Sequence, residues 1–331
     1  MGVTEKLLRR ERMQASLTTL IEMFCATKQT EGKSAKTIDW YRAFLLKFAT
    51  HLGPTATLRD FTLERVREFI ISVQEKDTRY DGSPRRKTEA GNVSAYTVHA
   101  YVRSLKVFSS WLYEEGFTPK NTLARLKAPK LPETIVDVLT EEEQRLILST
   151  PNPNCLLGSR LYVCLLLLLD TGIRAEELCT LTVENVHLNE GYIKVVGKGN
   201  KERQVPIGAT TKKAILRYLM TFRPEPVAGN YLILTPDGHP LSYDGLRHMI
   251  ERLREKTGIS RLHAHLFRHT FAVNYLVNGG DLMTLKLMLG HTRLEVTEKY
   301  LHLANRHVAL QHHKFSQVDR LGLGHRKKKE A

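Results

Sequence analysis

The sequence predicts a mainly α protein with a small β-sheet, divided into two domains. Apolar residues recur at helical spacing through most of the 331 residues, and one short hairpin pattern interrupts them. Near residue 130 a proline-rich stretch breaks the chain. A chain this long is large enough for two separate cores.

Residues from about 16 to 127 read as helix with short breaks. Leu17, Leu20, Ile21 and Phe24 share one face, and Trp40, Phe44, Leu45 and Phe48 recur at similar spacing in the next segment. A third helix is expected from Leu63 to Val73 and a fourth from Tyr96 to Tyr113, ending before Gly116. Between them, Asp77 to Lys87 is a polar, turn-rich loop with a basic end, either a surface excursion or a contact to a polyanion. In Lys127-Ala128-Pro129-Lys130-Leu131-Pro132, two prolines within four residues favour an extended segment. The expected division is a helical domain over 1–128, a linker over 129–138 and a second domain over 139–331.

The second domain opens with a capping box, Thr140 as N-cap and Glu143 three residues on. Helices should cover about 156–170 and 174–182. Ile193–Val196 and Arg203–Ile207 read as two strands around Gly197-Lys198-Gly199-Asn200-Lys201, a hairpin with a basic tip. Helices dominate again from Thr210, apart from a short apolar strand at Tyr231–Leu234. His325-Arg326-Lys327-Lys328-Lys329 reads as a solvated basic tail.

Charge narrows the function classes. With 50 Lys+Arg against 35 Asp+Glu the chain carries +15, a field that attracts polyanions such as a nucleic-acid backbone. The four cysteines, Cys25, Cys155, Cys164 and Cys179, form no C-x-x-C pair, so free thiols in a reducing cytoplasm are expected over a disulfide or zinc framework. Met1 to Lys6 lacks an apolar signal core, and the apolar run Leu161–Leu169 is too short to span a bilayer. No membrane partner is expected.

Candidate chemistry clusters in the second domain. His265-Leu266-Phe267-Arg268-His269 puts His265 and Arg268 on one helical face. His265 and His269 lack the glutamate of an H-E-x-x-H zinc site, so no metal is expected, and His269 reads as a packed helical histidine. The hairpin tip lacks the glycine spacing of a phosphate loop, so no nucleotide cofactor is expected either. Arg174 follows a glycine at a helix start. It reads as a phosphate ligand, because a planar guanidinium matches phosphate oxygens, or as a surface residue paired with Glu176 or Glu177. Lys198 is either a solvated turn lysine or a proton donor, and Tyr300, taken alone, is most simply a packed helical tyrosine.

Taken in order, Arg174, Lys198, His265, Arg268, His291 and Tyr300 resemble the catalytic set of the tyrosine recombinase (phage integrase) family, more closely its compact Xer-like members. Thr171 to Leu178 resembles the box of the first catalytic arginine, and Val196 to Arg203 the lysine hairpin. His265 to His269 resembles the H-x-x-R-H box, and Leu289-Gly290-His291 the L-G-H box. The resemblance implies a two-domain DNA clamp, a helical core-binding domain joined to a catalytic domain. It also implies site-specific cleavage and rejoining of duplex DNA without ATP or divalent metal. In that scheme Tyr300 attacks the scissile phosphate and keeps a 3′-phosphotyrosyl link. Arg174 and Arg268 clamp the charge, Lys198 protonates the 5′-oxygen, His265 assists the tyrosine's proton, His291 donates to a phosphate oxygen, and Glu177 buttresses Arg174.

The resemblance further implies a tetramer on DNA, of this chain alone or with a paralogue. The tail after Tyr300, with Val308, Leu310, Phe315, Val318 and Leu321, would dock on a neighbouring protomer. The short stretch before Ser16 is expected to leave no room for a separate arm-binding domain. Two other readings remain, a relaxing type IB topoisomerase and a non-catalytic DNA-binding factor on the same scaffold.

Overall fold

The computed structural model describes residues 14–79, 89–132, 137–197 and 201–291, together with Tyr300 and Ser316. The chain gathers into two compact units, divided between residues 133 and 134. The basic part of the polar loop, Lys198 to Asn200 at the hairpin tip, and the apolar tail residues after Tyr300 lie outside the described residues.

In the first unit, α1 (Leu17–Thr30), α2 (Ala35–Leu52), α3 (Leu63–Gln74) and α4 (Ala95–Glu114) pack around an aromatic core. Ser34, Thr62 and Ser94 begin α2, α3 and α4 by accepting a hydrogen bond from the amide three residues on, which satisfies an otherwise orphaned donor. Phe24 meets Tyr41, Phe108 and Trp111 edge-on, with ring centroids 5.4, 5.5 and 5.6 Å away. Leu17, Leu20 and Ile21 are buried on the same face of α1, as the spacing predicts. Trp40 and Phe44 are only partly buried and flank this core. The polar loop begins as a strand rather than a turn, since β1 (Thr78–Arg79) pairs antiparallel with β2 (Glu89–Ala90).

The second unit is built around α6 (Leu156–Thr171). Val163, Cys164, Leu165, Leu167 and Leu168 are all fully enclosed, so this helix is apolar on nearly every side. Before it stands α5 (Glu141–Ser149), whose Thr140–Glu143 capping box forms as predicted. Beyond α6 lie α7 (Ala175–Cys179) and an antiparallel sheet of β3 (Val186–His187), β4 (Tyr192–Val196) and β5 (Glu202–Pro206), in that order. The hairpin register pairs Val195 with Arg203 and Val196 with Glu202. Then come α8 (Ala209–Arg217), continued by a π-turn over Tyr218–Phe222, and α9 (Tyr243–Thr257), α10 (Ala264–Val277) and α11 (Leu282–Leu289). None of the helices among the described residues is long and apolar enough to cross a membrane.

Three further local expectations change. The helix expected over 174–182 spans only Ala175–Cys179, and the Thr180 hydroxyl bonds the Glu176 carbonyl at its end. Strand β3 was not expected; its two residues carry too little pattern to stand out. Tyr231–Leu234 is not a strand, forming only single bridges to Thr182 and, through Leu234, to Pro240. Leu232, Ile233 and Leu234 are buried against the helical core, so burial without a continuous ladder partner explains their apolar run.

Candidate active site

Gly172 ends α6 in the left-handed conformation, φ 60°, and a Cβ there would come within 2.4 Å of the Phe271 ring. This turn brings Arg174 to the N-cap of α7. Its backbone N–H donates to Glu177 Oε2 at 2.7 Å, and its Nη1 donates to Oε1 at 2.9 Å. The surface pairing of Arg174 considered from sequence is therefore real, but its partner is a buried carboxylate, 4% exposed.

Arg203 of β5 completes the carboxylate's shell. Its Nη1 and Nη2 donate to the two Glu177 oxygens, each at 2.8 Å, and its Nε donates to the Met288 carbonyl at 2.7 Å. Burial pushes the Glu177 carboxyl up, but the Arg203 fork, the Arg174 amide and both positive charges outweigh it and hold it below the usual range. Gly290 packs against this guanidinium at φ 64°, and a Cβ there would lie 3.1 Å from Arg203 Cζ. One ion cluster thereby joins the Arg174 turn, the hairpin and the end of α11.

Arg268, on α10, is 5% exposed and donates to the Gly172 carbonyl at 2.7 Å, to the Leu289 carbonyl at 2.7 Å and to His291 Nε2 at 2.9 Å. Burial first, then the Arg174 charge, lowers its pKa to about 10, so it stays protonated at neutral pH. A guanidinium only donates, so His291 accepts at Nε2 and its own N–H is on Nδ1. Burial, followed by Arg268, Arg174 and Arg203, lowers His291 to about 4, leaving a neutral ring.

His265 is the exposed member among the described residues of the set. Desolvation, then His263, Arg268 and Arg174, lowers its pKa. Tyr300 is 4% exposed and packs in an apolar cluster with Phe271, Leu276, Leu285 and Leu289. Its hydroxyl lies 2.9 Å from Nδ1 of His269, not against His265. Burial raises the phenol's pKa, against the lowering effect of Arg268 and Arg174.

The structure thus brings Arg174, Arg268, His291 and Tyr300 into one neighbourhood, with His265 on the same helix as Arg268. Lys198 lies outside the described residues, although the Gly197 amide bonds the Lys201 carbonyl at 2.8 Å beside it. Two residues escaped the sequence reading. His269 looked like a packed helical histidine; its four-residue spacing from His265 is a helical-face signal, but it names no partner. Arg203 carried no signal, because nothing local shows that a strand arginine will reach Glu177. As an arrangement, two guanidiniums, imidazoles and a phenol can hold a phosphate diester, stabilise its added charge and supply a nucleophile.

Residues 137–307 match the model of the phage integrase family. The chain is 31% identical over 302 residues to the tyrosine recombinase XerD of Staphylococcus saprophyticus, covering 90% of this chain and 98% of that protein. It is 35% identical over 211 residues to the tyrosine recombinase XerC of Staphylococcus carnosus, covering 63% and 71%. Its fold is similar to that of the Tn1549 transposon integrase, solved with a circular intermediate DNA, with a TM-score of 0.69 at 18% identity over 86% of this chain and 94% of that one. With arginines and tyrosine gathered as that chemistry requires, and with a relative matched almost end to end, the chain belongs to the phage integrase family and is a tyrosine recombinase.

Proposed function

We propose that this recombinase cuts and rejoins duplex DNA at specific core sites, with Tyr300 as nucleophile and a 3′-phosphotyrosyl ester as intermediate. The observation that carries the reading is the junction at Arg268, whose guanidinium bonds the Gly172 carbonyl, the Leu289 carbonyl and His291 in the neighbourhood of Arg174 and Tyr300. Arg174 and Arg268 hold the non-bridging oxygens and stabilise the charge that grows there. Neutral His291 donates from Nδ1 to a phosphate oxygen. Lys198, at the hairpin tip, protonates the leaving 5′-oxygen, and His265 assists proton transfer. The ester conserves the bond energy, so rejoining needs no nucleotide.

The helical domain over 1–128 and the catalytic domain over 139–331, joined by a linker over 129–138, close on DNA as a clamp. Four protomers, all of this chain or shared with a paralogue, act together in the cytoplasm on chromosome or plasmid resolution, or on the integration, excision or transposition of a mobile element. The XerD relative supports the recombination reading, and the net charge of +15 supports DNA as partner.

The test is to select bound sites from a DNA library, place two copies in one supercoiled plasmid and add the protein. Resolved or inverted crossover products are expected. Relaxed topoisomers alone would point instead to a topoisomerase, and binding without any product to a non-catalytic factor.

A further inference from the structure

We propose that His269 is a further catalytic residue, the base that takes the proton from Tyr300 as its oxygen attacks phosphorus. The proposal rests on the reading of Tyr300 as nucleophile. Its ground is geometric: His269 Nδ1 lies 2.9 Å from the Tyr300 hydroxyl, within reach for direct proton transfer. The two rings sit 5.6 Å apart at 52°, so the imidazole meets the hydroxyl rather than stacking on the phenol. In the tautomer protonated at Nε2, His269 presents the Nδ1 lone pair to the phenol.

The other imidazoles are less well set for this step. His291 Nε2 is already taken by an Arg268 N–H. His265, one helical turn before His269, is exposed and forms no hydrogen bond to Tyr300 among the described residues. A base is needed, because an ordinary phenol with a pKa near 10 is only about 0.1% ionised at neutral pH. Burial makes this phenol harder still to ionise. The charges that face the pair are Arg268 from α10 itself and Arg174 from the turn after α6, both of which favour phenolate; His291, after α11, also stands in the electrostatic field of His269.

In the step, the Tyr300 oxygen forms a bond to phosphorus, its proton passes to His269 Nδ1, and the bond from phosphorus to the 5′-oxygen breaks. That oxygen leaves as a hydroxyl with a proton from the general acid, for which Lys198 is proposed above. In rejoining, the 5′-hydroxyl gives its proton back to the now neutral Lys198 as its oxygen bonds phosphorus, the bond from phosphorus to the Tyr300 oxygen breaks, and imidazolium His269 returns the proton to the phenol.

The experiment is single-turnover cleavage of a nicked suicide substrate across pH by the full chain and by His269→Ala, His269→Asn and His265→Ala. His269→Ala should bind DNA as the parent does, yet cleave about 10²–10⁴-fold more slowly. Its rate should climb steadily toward alkaline pH as the phenol ionises unaided, and added imidazole should restore part of it. His269→Asn keeps a hydrogen-bonding side chain but no base, and should be as slow as His269→Ala. His265→Ala should also cleave more slowly, since His265 belongs to the proposed machinery, but without the steady alkaline climb that marks loss of the tyrosine's base. The proposal is overturned if His269→Ala cleaves at the parent rate, if His269→Asn restores full activity, or if the change in pH profile follows His265→Ala instead. Covalent adduct from Tyr300→Phe on the same substrate would mark failure of the nucleophile reading itself, a result separable from all of these.

Discussion

Four donors converge on the Glu177 carboxylate, two from Arg174 and two from Arg203, while Arg268 is tied to two backbone carbonyls and His291. Tyr300 is held differently, by an apolar cluster and a hydroxyl contact to His269. Ionic hydrogen bonds are directional, so the guanidinium side is oriented before any phosphate arrives, which is what electrostatic stabilisation of a transition state requires. Apolar burial is non-directional and holds a ring without fixing where its oxygen points. The contrast fits a site in which the charge-binding groups are preset and the nucleophile's aim depends on one titratable neighbour.

Glu177→Ala breaks that comparison most severely. It leaves Arg203, whose side chain is only 12% exposed, without its carboxylate, and loss of one partner of a buried ion pair costs about 3–5 kcal/mol. A drop of that size should appear in urea denaturation, together with weaker cleavage as Arg174 loses its orientation. An unchanged midpoint would mean that the cluster contributes little to holding the arginine side.

Much of this arrangement was legible before any coordinates. Helical spacing indicated α1 to α4 and the buried face of α1, and the turn chemistry of Gly199-Asn200 indicated the β4–β5 hairpin. The order of Arg174, Lys198, His265, Arg268, His291 and Tyr300 pointed to one site through its resemblance to the phage integrase set, and among the described residues Arg174, Arg268, His291 and Tyr300 do share a neighbourhood. The joints between boxes were not legible. Arg203 and Glu177 are 26 residues apart and meet only because β5 brings its arginine to α7. His269 looked like any packed histidine, since spacing places it on a face without showing that a tyrosine 31 residues later returns to it. Tyr231–Leu234 failed for a related reason: an apolar run reports burial, not whether a strand lies alongside.

A smaller effect sharpens the comparison through His291. Its folded pKa of about 4 lies below the ordinary value near 6.5, so between those values the unfolded chain binds more protons. The stability linked to His291 is therefore present above about pH 6.5 and lost as pH falls toward 4. Thermal melts of His291→Gln should show a shallower acid limb than the parent. Binding of a duplex core site should raise the His291 pKa in an NMR titration, because a phosphate anion offsets the three neighbouring arginines. A pKa near 6.5 in the free protein would contradict the preset, desolvated arginine side.

The most direct test of the central claim is to trap the covalent complex on a nicked suicide substrate, digest it and locate the nucleotide-bearing residue by mass spectrometry. The chain has twelve tyrosines, and the account predicts that the phosphodiester remnant is carried by Tyr300 alone and that Tyr300→Phe binds DNA yet yields no adduct. An adduct on another residue, or one that survives Tyr300→Phe, would contradict it.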